Sequence, residues 1–284
     1  MRHVTAKGLA AVDLATKLLQ RARLADLEAG LWEAADVQWW WRTPRRSDDV
    51  EQRFWVDDDG PVGAVLLTEF RSSWQCDALL VPGAIEPVTV WECALETAAT
   101  LAADAVDVPV RDDEVAFVGL LQRDGFVAGE RSSVAWMDAA ARPSVAEPPE
   151  GFVLVDRSDA RGTPHPMRGR NGESVEARLR GCSLYDPALD LAVETTDGEV
   201  AGQSLYWFDP VTCVGVLEPM RVEESYQRRG LARTMIAAGL DRLAQRGARR
   251  LKVGYGTAAA GALYHGSGFR TTDTSTWYSA PSKS

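Results

Sequence analysis

The sequence from Val214 to Ala232 is VGVLEPMRVEESYQRRGLA. Its apolar run, Val214 to Val222, predicts a buried strand, and a polar turn follows that run. An amphipathic helix is predicted next, over 231–246, with its apolar residues on one stripe and Gly247 as its C-terminal cap. This order of strand, turn and helix decides how the C-terminal half of the chain is interpreted.

The turn before the predicted helix has the features of an anion site. The first N–H groups of a helix have no partner within the helix, and the helix dipole places partial positive charge there. Gly230 and Ala232 leave room for a phosphate group to approach the backbone, and Arg228, Arg229 and Arg233 add positive charge. The turn therefore predicts a site for a phosphate-bearing cofactor. The alternative is an arginine-rich surface turn.

A second pattern lies downstream. Residues 248–253, ARRLKV, predict the next strand, and a helix is predicted over 258–266. Around that helix stand Thr257, Ala260, Leu263, Tyr264, Gly268 and Phe269. In their order and spacing the two patterns resemble the acyl-CoA-binding turn and the late motif of the GNAT superfamily of N-acetyltransferases. The sequence departs from the family at Ala232, where Gly is commoner, and at Thr257, where the family has Asn.

The resemblance implies acetyl-CoA as the co-substrate and assigns its contacts. In the family, the backbone at the end of the strand holds the pantetheine arm and the acetyl carbonyl, and the turn holds the pyrophosphate. The Thr257 hydroxyl, which replaces the family's Asn, can still donate one hydrogen bond to the cofactor. The cofactor-binding residues implied here are Met220, Arg221, Val222, Gln227, Arg228, Arg229, Gly230, Leu231, Ala232, Arg233 and Thr257.

Two residues are candidates for the chemistry of acetyl transfer. The leaving thiolate needs a proton, and the resemblance assigns that role to Tyr264; the alternative is a packed aromatic residue. Glu218 is the candidate base, because a carboxylate within an apolar run is costly unless it lines a cleft or is paired. An ion pair with Arg221 or another arginine is the alternative. Pro219 predicts that the strand is interrupted here, where the family's sheet splays to admit the thioester.

The two halves of the chain repeat each other. Residues 120–126 match the spacing of 263–269, and the Asp-Gly pairs at 59–60 and 197–198 both predict β-hairpin turns. A proline-rich stretch without periodicity separates the halves. We therefore expect an α/β fold of two tandem GNAT-like domains, each a mixed sheet flanked by helices. The predicted boundaries are 1–140 for the N-terminal domain, 141–150 for the linker and 151–284 for the catalytic domain.

The N-terminal domain is predicted to have lost the chemistry. Its turn at 82–87, PGAIEP, contains no arginine, and Glu86 would repel a phosphate. Leu121 stands where the C-terminal half has Tyr264. The tandem layout resembles actinobacterial mycothiol synthase-like acetyltransferases. The alternative is that the similarity between the two halves is accidental and that the first half is an unrelated α+β domain.

Seven of the ten tryptophans lie in the first hundred residues, including three in a row at Trp39–Trp41. Consecutive residues cannot all face one core, so at least one of the three is expected to be exposed or to line a groove. One alternative is a core combined with an interface between the domains. The other is an aromatic wall for a cationic substrate.

Composition limits the class of protein. The chain has 284 residues, a net charge of −10 and four scattered cysteines without a C-x-x-C pair. These features predict a cytoplasmic protein without a structural metal, and no affinity for nucleic acid or membrane. The expected substrate is an amine of a small molecule or peptide, acetylated by direct transfer in a ternary complex. The alternative is a non-catalytic acyl-CoA sensor, and a homodimer is left open.

Overall fold

In a computed structural model of the chain, residues 1–70, 73–101, 106–158 and 163–280 are described. The chain divides into two compact units, each with its own hydrophobic core. Unit 1 consists of Met1–Ser133 together with Asp273–Ser284, and unit 2 consists of Val134–Thr272.

Unit 1 is a mixed sheet flanked by helices. Its sheet order is β1-β2-β3-β4-β5-β12, in which β4 and β5 are parallel and the other pairs antiparallel. Its elements are β1 (Arg2–Ala6), α1 (Gly8–Ala25), α2 (Ala34–Trp40), β2 (Gln52–Val56), β3 (Pro61–Phe70), β4 (Ser73–Leu80), α3 (Pro87–Ala99), β5 (Val106–Arg111), α4 (Val115–Arg123), the start of β6 (Val127–Asp138) and most of β12 (Arg270–Ser279).

Unit 2 has the same architecture, with the sheet order β7-β8-β9-β10-β11-β6. The strands predicted at 214–222 and 248–253 and the helices predicted at 231–246 and 258–266 are confirmed to within two residues. The elements are β7 (Phe152–Asp156), α5 (Arg168–Asn171), α6 (Val175–Arg180), β8 (Asp190–Thr195), β9 (Val200–Asp209), β10 (Val214–Val222), α7 (Leu231–Gln245), β11 (Arg250–Tyr255) and α8 (Ala258–Gly266).

The two units repeat one order of elements, as the sequence predicted. In each, a hairpin precedes two parallel strands joined by a helix: β4, α3 and β5 in unit 1, and β10, α7 and β11 in unit 2. The hairpin turns contain Gly60 and Gly198, whose φ angles of 129° and 84° favour glycine. A mixed α/β architecture in two tandem copies is therefore confirmed.

The last strand of each repeat departs from the predicted boundaries. Strand β6 begins in unit 1, and its residues from Val134 onward belong to unit 2. Strand β12 begins in unit 2, and its residues from Asp273 onward belong to unit 1, where 275–279 pair with β5. The compact units are therefore divided differently from the predicted domains 1–140 and 151–284, and the predicted linker 141–150 lies within unit 2.

The expectation for the three consecutive tryptophans is wrong. Trp39, Trp40 and Trp41 are all buried, with exposed fractions of 7%, 7% and 2%. The Arg42 guanidinium lies 3.7 Å from the centroid of the Trp39 ring, and Trp32 packs edge-on against Trp40 at 4.8 Å. Helix α2 ends at Trp40, so the three side chains point in different directions around the end of the helix. Each of them is buried there by other residues.

Helix α7 packs against its sheet through a close approach at Gly239. A Cβ built at Gly239 would lie 2.1 to 2.4 Å from ring carbons of Tyr206. The Tyr206 ring is fully buried, and its hydroxyl donates to the Met235 carbonyl at 2.7 Å. The ring cannot move away without losing that hydrogen bond, so only glycine fits at 239.

We expect Gly239→Ala to lower the free energy of unfolding by about 1–3 kcal/mol or more, as overpacking of a core does. Thermal unfolding followed by circular dichroism measures the effect. The matched control is Gly119→Ala in α4, where a Cβ meets nothing within 4 Å. That control is expected to stabilise by up to about 1 kcal/mol, because alanine is the better helix former. Equal melting temperatures for the two variants would contradict the packing argument.

Candidate active site

The turn between β10 and α7 has an unusual backbone. After a single 3₁₀ turn at Glu224–Tyr226, both Arg228 and Gly230 lie in the left-handed region, with φ angles of 60° and 88°. Gly230 is the N-cap of α7. A non-glycine residue with positive φ is uncommon and occurs preferentially at functional sites. The sequence predicted a tight turn here, and the structure contains one.

The first turn of α7 offers unused hydrogen-bond donors. The backbone N–H groups of Leu231, Ala232 and Arg233 begin the helix, and within the described part of the chain no acceptor is found for them. Thr234 is the first residue of the helix whose backbone N–H has a partner: it donates to the Gly230 carbonyl at 3.1 Å. Donors of this kind at the start of a 15-residue helix attract an anion.

The sheet opens beside this turn. Strand β10 pairs with β11 only from Val214 to Leu217, although β11 continues to Tyr255. On its other side, β10 pairs with β9 up to Leu217 and again from Met220, so that a bulge occupies the two positions between. The Glu218–Pro219 peptide bond at this bulge is cis. The predicted interruption of the strand at Pro219 is confirmed.

One cavity, of about 490 Å³, joins the opening, the turn and α8. Its walls are the end of β10, the turn with the start of α7, and one face of α8. Most of the cofactor-binding residues implied by the sequence lie on it. The lining residues are Met220, Arg221, Val222, Tyr226, Gln227, Arg228, Gly230, Leu231, Ala232, Arg233, Ala259, Ala260, Leu263 and Tyr264.

Tyr264 lies on α8 and lines the cavity with most of its surface buried; 7% is exposed. Its ring packs against Tyr255 and Phe269, with centroids at 6.0 and 6.1 Å. Burial, and to a lesser degree the negative charge of Glu218, raise the pKa of the Tyr264 phenol. A phenol with a raised pKa is protonated at neutral pH and can donate a proton.

Glu218 lies at the bulge of β10 and is partly buried. It is close enough to Tyr264 for its charge to affect the phenol. Arg221, which the sequence offered as an ion-pair partner for Glu218, donates to Glu223 at 3.2 Å. Both alternatives for Glu218, the catalytic base and the structural ion-pair partner, stay predictions.

Two of the implied cofactor residues lie outside the cavity lining. The Thr257 hydroxyl accepts the Ala260 N–H at 3.2 Å and so forms the N-cap of α8. The Arg229 guanidinium lies over the Tyr226 ring at 5.4 Å and donates to the Ser225 carbonyl. The structure shows local roles for both side chains. A contact of either with a cofactor stays a prediction.

The sequence analysis did not assign four lining residues to the cofactor: Tyr226, Ala259, Ala260 and Leu263. Three of them lie on α8 with Tyr264, and Ala260, four residues before Tyr264, shares its helix face. That spacing was a usable signal, and Ala260 and Leu263 belong to the late motif. Tyr226 carried no such signal, since its place depends on the turn.

The segment 156–170 is rich in Gly, Pro and Arg, and this composition predicts a long loop that forms part of an acceptor pocket. Residues 159–162 of it lie outside the described residues, and α5 occupies its end. Asp156, Arg157, Thr163 and Pro166 line a second cavity of about 430 Å³, which shares no lining residue with the first. The acceptor role of this loop stays a prediction.

Other features bear on the class of protein. The four cysteines, all within the described residues, form no disulfide bond with one another. Within the four described ranges, no three His, Cys, Asp or Glu side chains group as metal ligands do, and none of the helices there has the length and apolar character needed to cross a membrane.

Comparison with known proteins places the same region in one family. Residues 164–269 match the model of the acetyltransferase (GNAT) family. A mycothiol acetyltransferase of Clavibacter sepedonicus is 29% identical over 202 residues, which cover 68% of this chain and 62% of that protein. The match therefore spans less than two thirds of the relative's own length.

Solved structures share the tandem fold. A tandem GNAT protein from the clavulanic acid biosynthesis pathway superposes with a TM-score of 0.72 at 15% identity, covering 100% of this chain and 99% of that one. A GCN5-related N-acetyltransferase from Sphaerobacter thermophilus gives a TM-score of 0.63 at 18% identity, with coverages of 99% and 97%. At this level of identity the likeness shows the fold alone. The family model identifies residues 164–269 as a GNAT acetyltransferase region, and the solved structures show that the whole chain shares the tandem GNAT fold.

Proposed function

We propose that the chain is an acetyl-CoA-dependent N-acetyltransferase that acts in the cytoplasm on an amine of a small molecule or peptide. The observation that supports this most is the cavity at the start of α7 in unit 2. It brings together an anion-binding helix start, a sheet opening and a buried phenol. These three features match the pyrophosphate, the thioester and the leaving thiolate of one co-substrate.

The proposed placement of acetyl-CoA follows from the donors and charges of the cavity. The pyrophosphate would accept from the N–H groups of Leu231, Ala232 and Arg233, with the charge of Arg228 nearby. The pantetheine arm would enter the sheet opening beside Met220–Val222. Beyond Leu217, β10 has β9 as a ladder partner on one side, and its pairing with β11 has ended. Backbone groups on the open side need partners, and an extended amide chain supplies them.

The chemistry proposed for unit 2 is a direct transfer. Glu218 would take a proton from the ammonium form of the acceptor, and the free amine would attack the thioester carbonyl. The tetrahedral intermediate would collapse with breakage of the C–S bond, and Tyr264 would give its proton to the thiolate. The nitrogen would lose its second proton as the amide forms, and that proton would restore the Tyr264 phenol. The pKa requirement of the proposed acid fits its surroundings. Tyr264 is held in its protonated form by burial and by the Glu218 charge.

A screen for acceptors tests the proposal. Release of free thiol from acetyl-CoA is followed with a thiol reagent across small amines, aminoglycosides and peptide N-termini. A turnover that depends on one acceptor supports the enzyme. Tight binding of acetyl-CoA by calorimetry, with no acceptor raising thiol release above the background hydrolysis, would support the sensor instead.

We expect Glu218→Gln to lower kcat about 10²–10⁴-fold at neutral pH, as the loss of a general base does. The rate of this variant should recover as the pH rises, because more of the acceptor is then a free amine in solution. A pH–rate profile measures both effects, and Glu173→Gln, an exposed carboxylate in the same unit, serves as the control. A lowered melting temperature at every pH with an unshifted profile would instead show that Glu218 is a structural ion-pair partner.

A further inference from the structure

The bulge that carries Glu218 is held by a buried tryptophan that the proposed mechanism does not use. Trp207 of β9 is fully buried, and its indole N–H donates to the Glu218 carbonyl at 2.8 Å. This bond joins a side chain to the backbone of the candidate base itself. It belongs to no regular ladder.

The register explains why this carbonyl needs such a donor. Leu217 pairs with Tyr206, and the next pair along the strands is Met220 with Ser204. Two residues of β10 thus stand opposite one residue of β9. Pro219 has no N–H, and the ladder is broken at Glu218, so β9 supplies the donor from a side chain. Without it, a carbonyl beside the core would lose its partner.

The Trp207 ring is also held in place by a neighbouring aromatic residue. The Tyr185 ring packs edge-on against it with centroids at 6.3 Å, and the Tyr185 hydroxyl donates to Asp190 at 2.9 Å. Asp190 also lies 2.8 Å from Nε2 of His165. The Met167 N–H donates to the other ring nitrogen of His165, which places the proton on Nε2. A chain of buried and partly buried contacts therefore holds the indole in one orientation.

We propose that Trp207 is a positioning residue for the base: it fixes the backbone at Glu218, and thereby the place of the carboxylate at the sheet opening. This inference rests on the proposed function of Glu218. The indole N–H sets the geometry of the bulge, and the bulge sets the distance from the carboxylate to the amine. Trp207 itself touches neither acetyl-CoA nor the acceptor in this mechanism.

Two substitutions remove the donor. Trp207→Phe keeps an aromatic ring, and replacement of Trp207 by 3-benzothienylalanine exchanges only the N–H for a sulfur and keeps the shape. We expect both to lower kcat about 10–100-fold, because a misplaced catalytic group costs about that much. The Kd of acetyl-CoA by calorimetry should change by less than about threefold. Trp136→Phe, a second buried indole of unit 2, is the matched control and should keep the rate.

A double-mutant cycle separates positioning from general damage. If Trp207 acts through Glu218, the Trp207→Phe substitution should cost no further rate in a Glu218→Gln background. Hydrogen exchange of the peptide covering 214–222 should quicken about tenfold in Trp207→Phe, and exchange in α7 should stay unchanged. The benzothienylalanine variant gives the same readouts if Trp207→Phe folds poorly.

The outcomes distinguish this inference from the function on which it rests. A wild-type rate for the benzothienylalanine variant, or an equal loss of rate with and without Glu218, would overturn the positioning role. Unchanged exchange at 214–222 would also overturn it, and that readout needs no acceptor. Glu218→Gln with a full rate would overturn the base assignment, whatever the exchange data show at the bulge.

Discussion

Gly230→Asp is expected to abolish the binding of acetyl-CoA, whereas Gly230→Asn should retain a large part of it. Both side chains have the same size, and both tolerate the left-handed backbone that Gly230 adopts at φ 88°. A Cβ at this position meets only Pro149, at an ordinary 3.8 Å. The two variants therefore differ in one negative charge beside the proposed pyrophosphate site, and repulsion at about 4 Å costs about 4 kcal/mol near a protein surface.

Calorimetric titration with acetyl-CoA measures this difference, which should be at least about 10²-fold in Kd. The control lies in the equivalent turn of unit 1. Gly83 also has a positive φ, of 75°, and a Cβ there meets nothing within 4 Å. Gly83→Asp should leave the affinity unchanged, because that turn has no arginine. If Gly230→Asp and Gly230→Asn bind acetyl-CoA equally well, the proposal that the pyrophosphate binds at the turn before α7 is wrong.

Tyr264→Phe is expected to lower kcat about 10²–10⁴-fold, as the loss of a general acid does. The affinity for acetyl-CoA should change little. The phenyl ring keeps the packing against Tyr255 and Phe269, so the melting temperature should stay close to that of the parent.

Steady-state kinetics and thermal unfolding, measured on the same preparation, test this expectation. Tyr255→Phe is the control: its ring lies beside Tyr264, but its hydroxyl contacts His265 and Thr271 instead of lining the cavity. A Tyr264→Phe protein that unfolds early and yet keeps its rate per folded molecule would make Tyr264 a packed aromatic residue. An equal loss of rate in both variants would point to disturbed packing of α8.

The sequence predicted those parts of unit 2 that depend on local pattern. The apolar run 214–222 predicted β10, and the glycine of the turn placed the start of α7 at Leu231. Pro219 predicted the break in β10 because proline cannot donate to a ladder. Each of these signals acts within a few residues of the feature that it predicts.

The parts that the sequence left open depend on contacts between distant residues. Thr257 fits a cofactor contact and a helix cap equally well by residue type, and the structure shows the cap. Trp39–Trp41 were expected to leave one ring uncovered, because the pattern contains no information on Arg42 or Trp32 as covers. The division of β6 and β12 between the units could not be predicted for a similar reason. The pattern of apolar residues in a strand indicates which residues are buried, but it does not indicate which strand pairs with it.

The division of β12 between the units has a consequence for folding during synthesis on the ribosome. Residues 134–272 are contiguous, whereas unit 1 needs both 1–133 and the segment from Asp273 onward. The strand segment that pairs with β5 is thus synthesised after all of unit 2. The unit that bears the proposed catalytic groups has its whole chain available first, and unit 1, although begun earlier, is complete only after the segment from Asp273 onward has been made. A chain that ended before Asp273 would therefore lack a strand segment of unit 1 and no residue of unit 2.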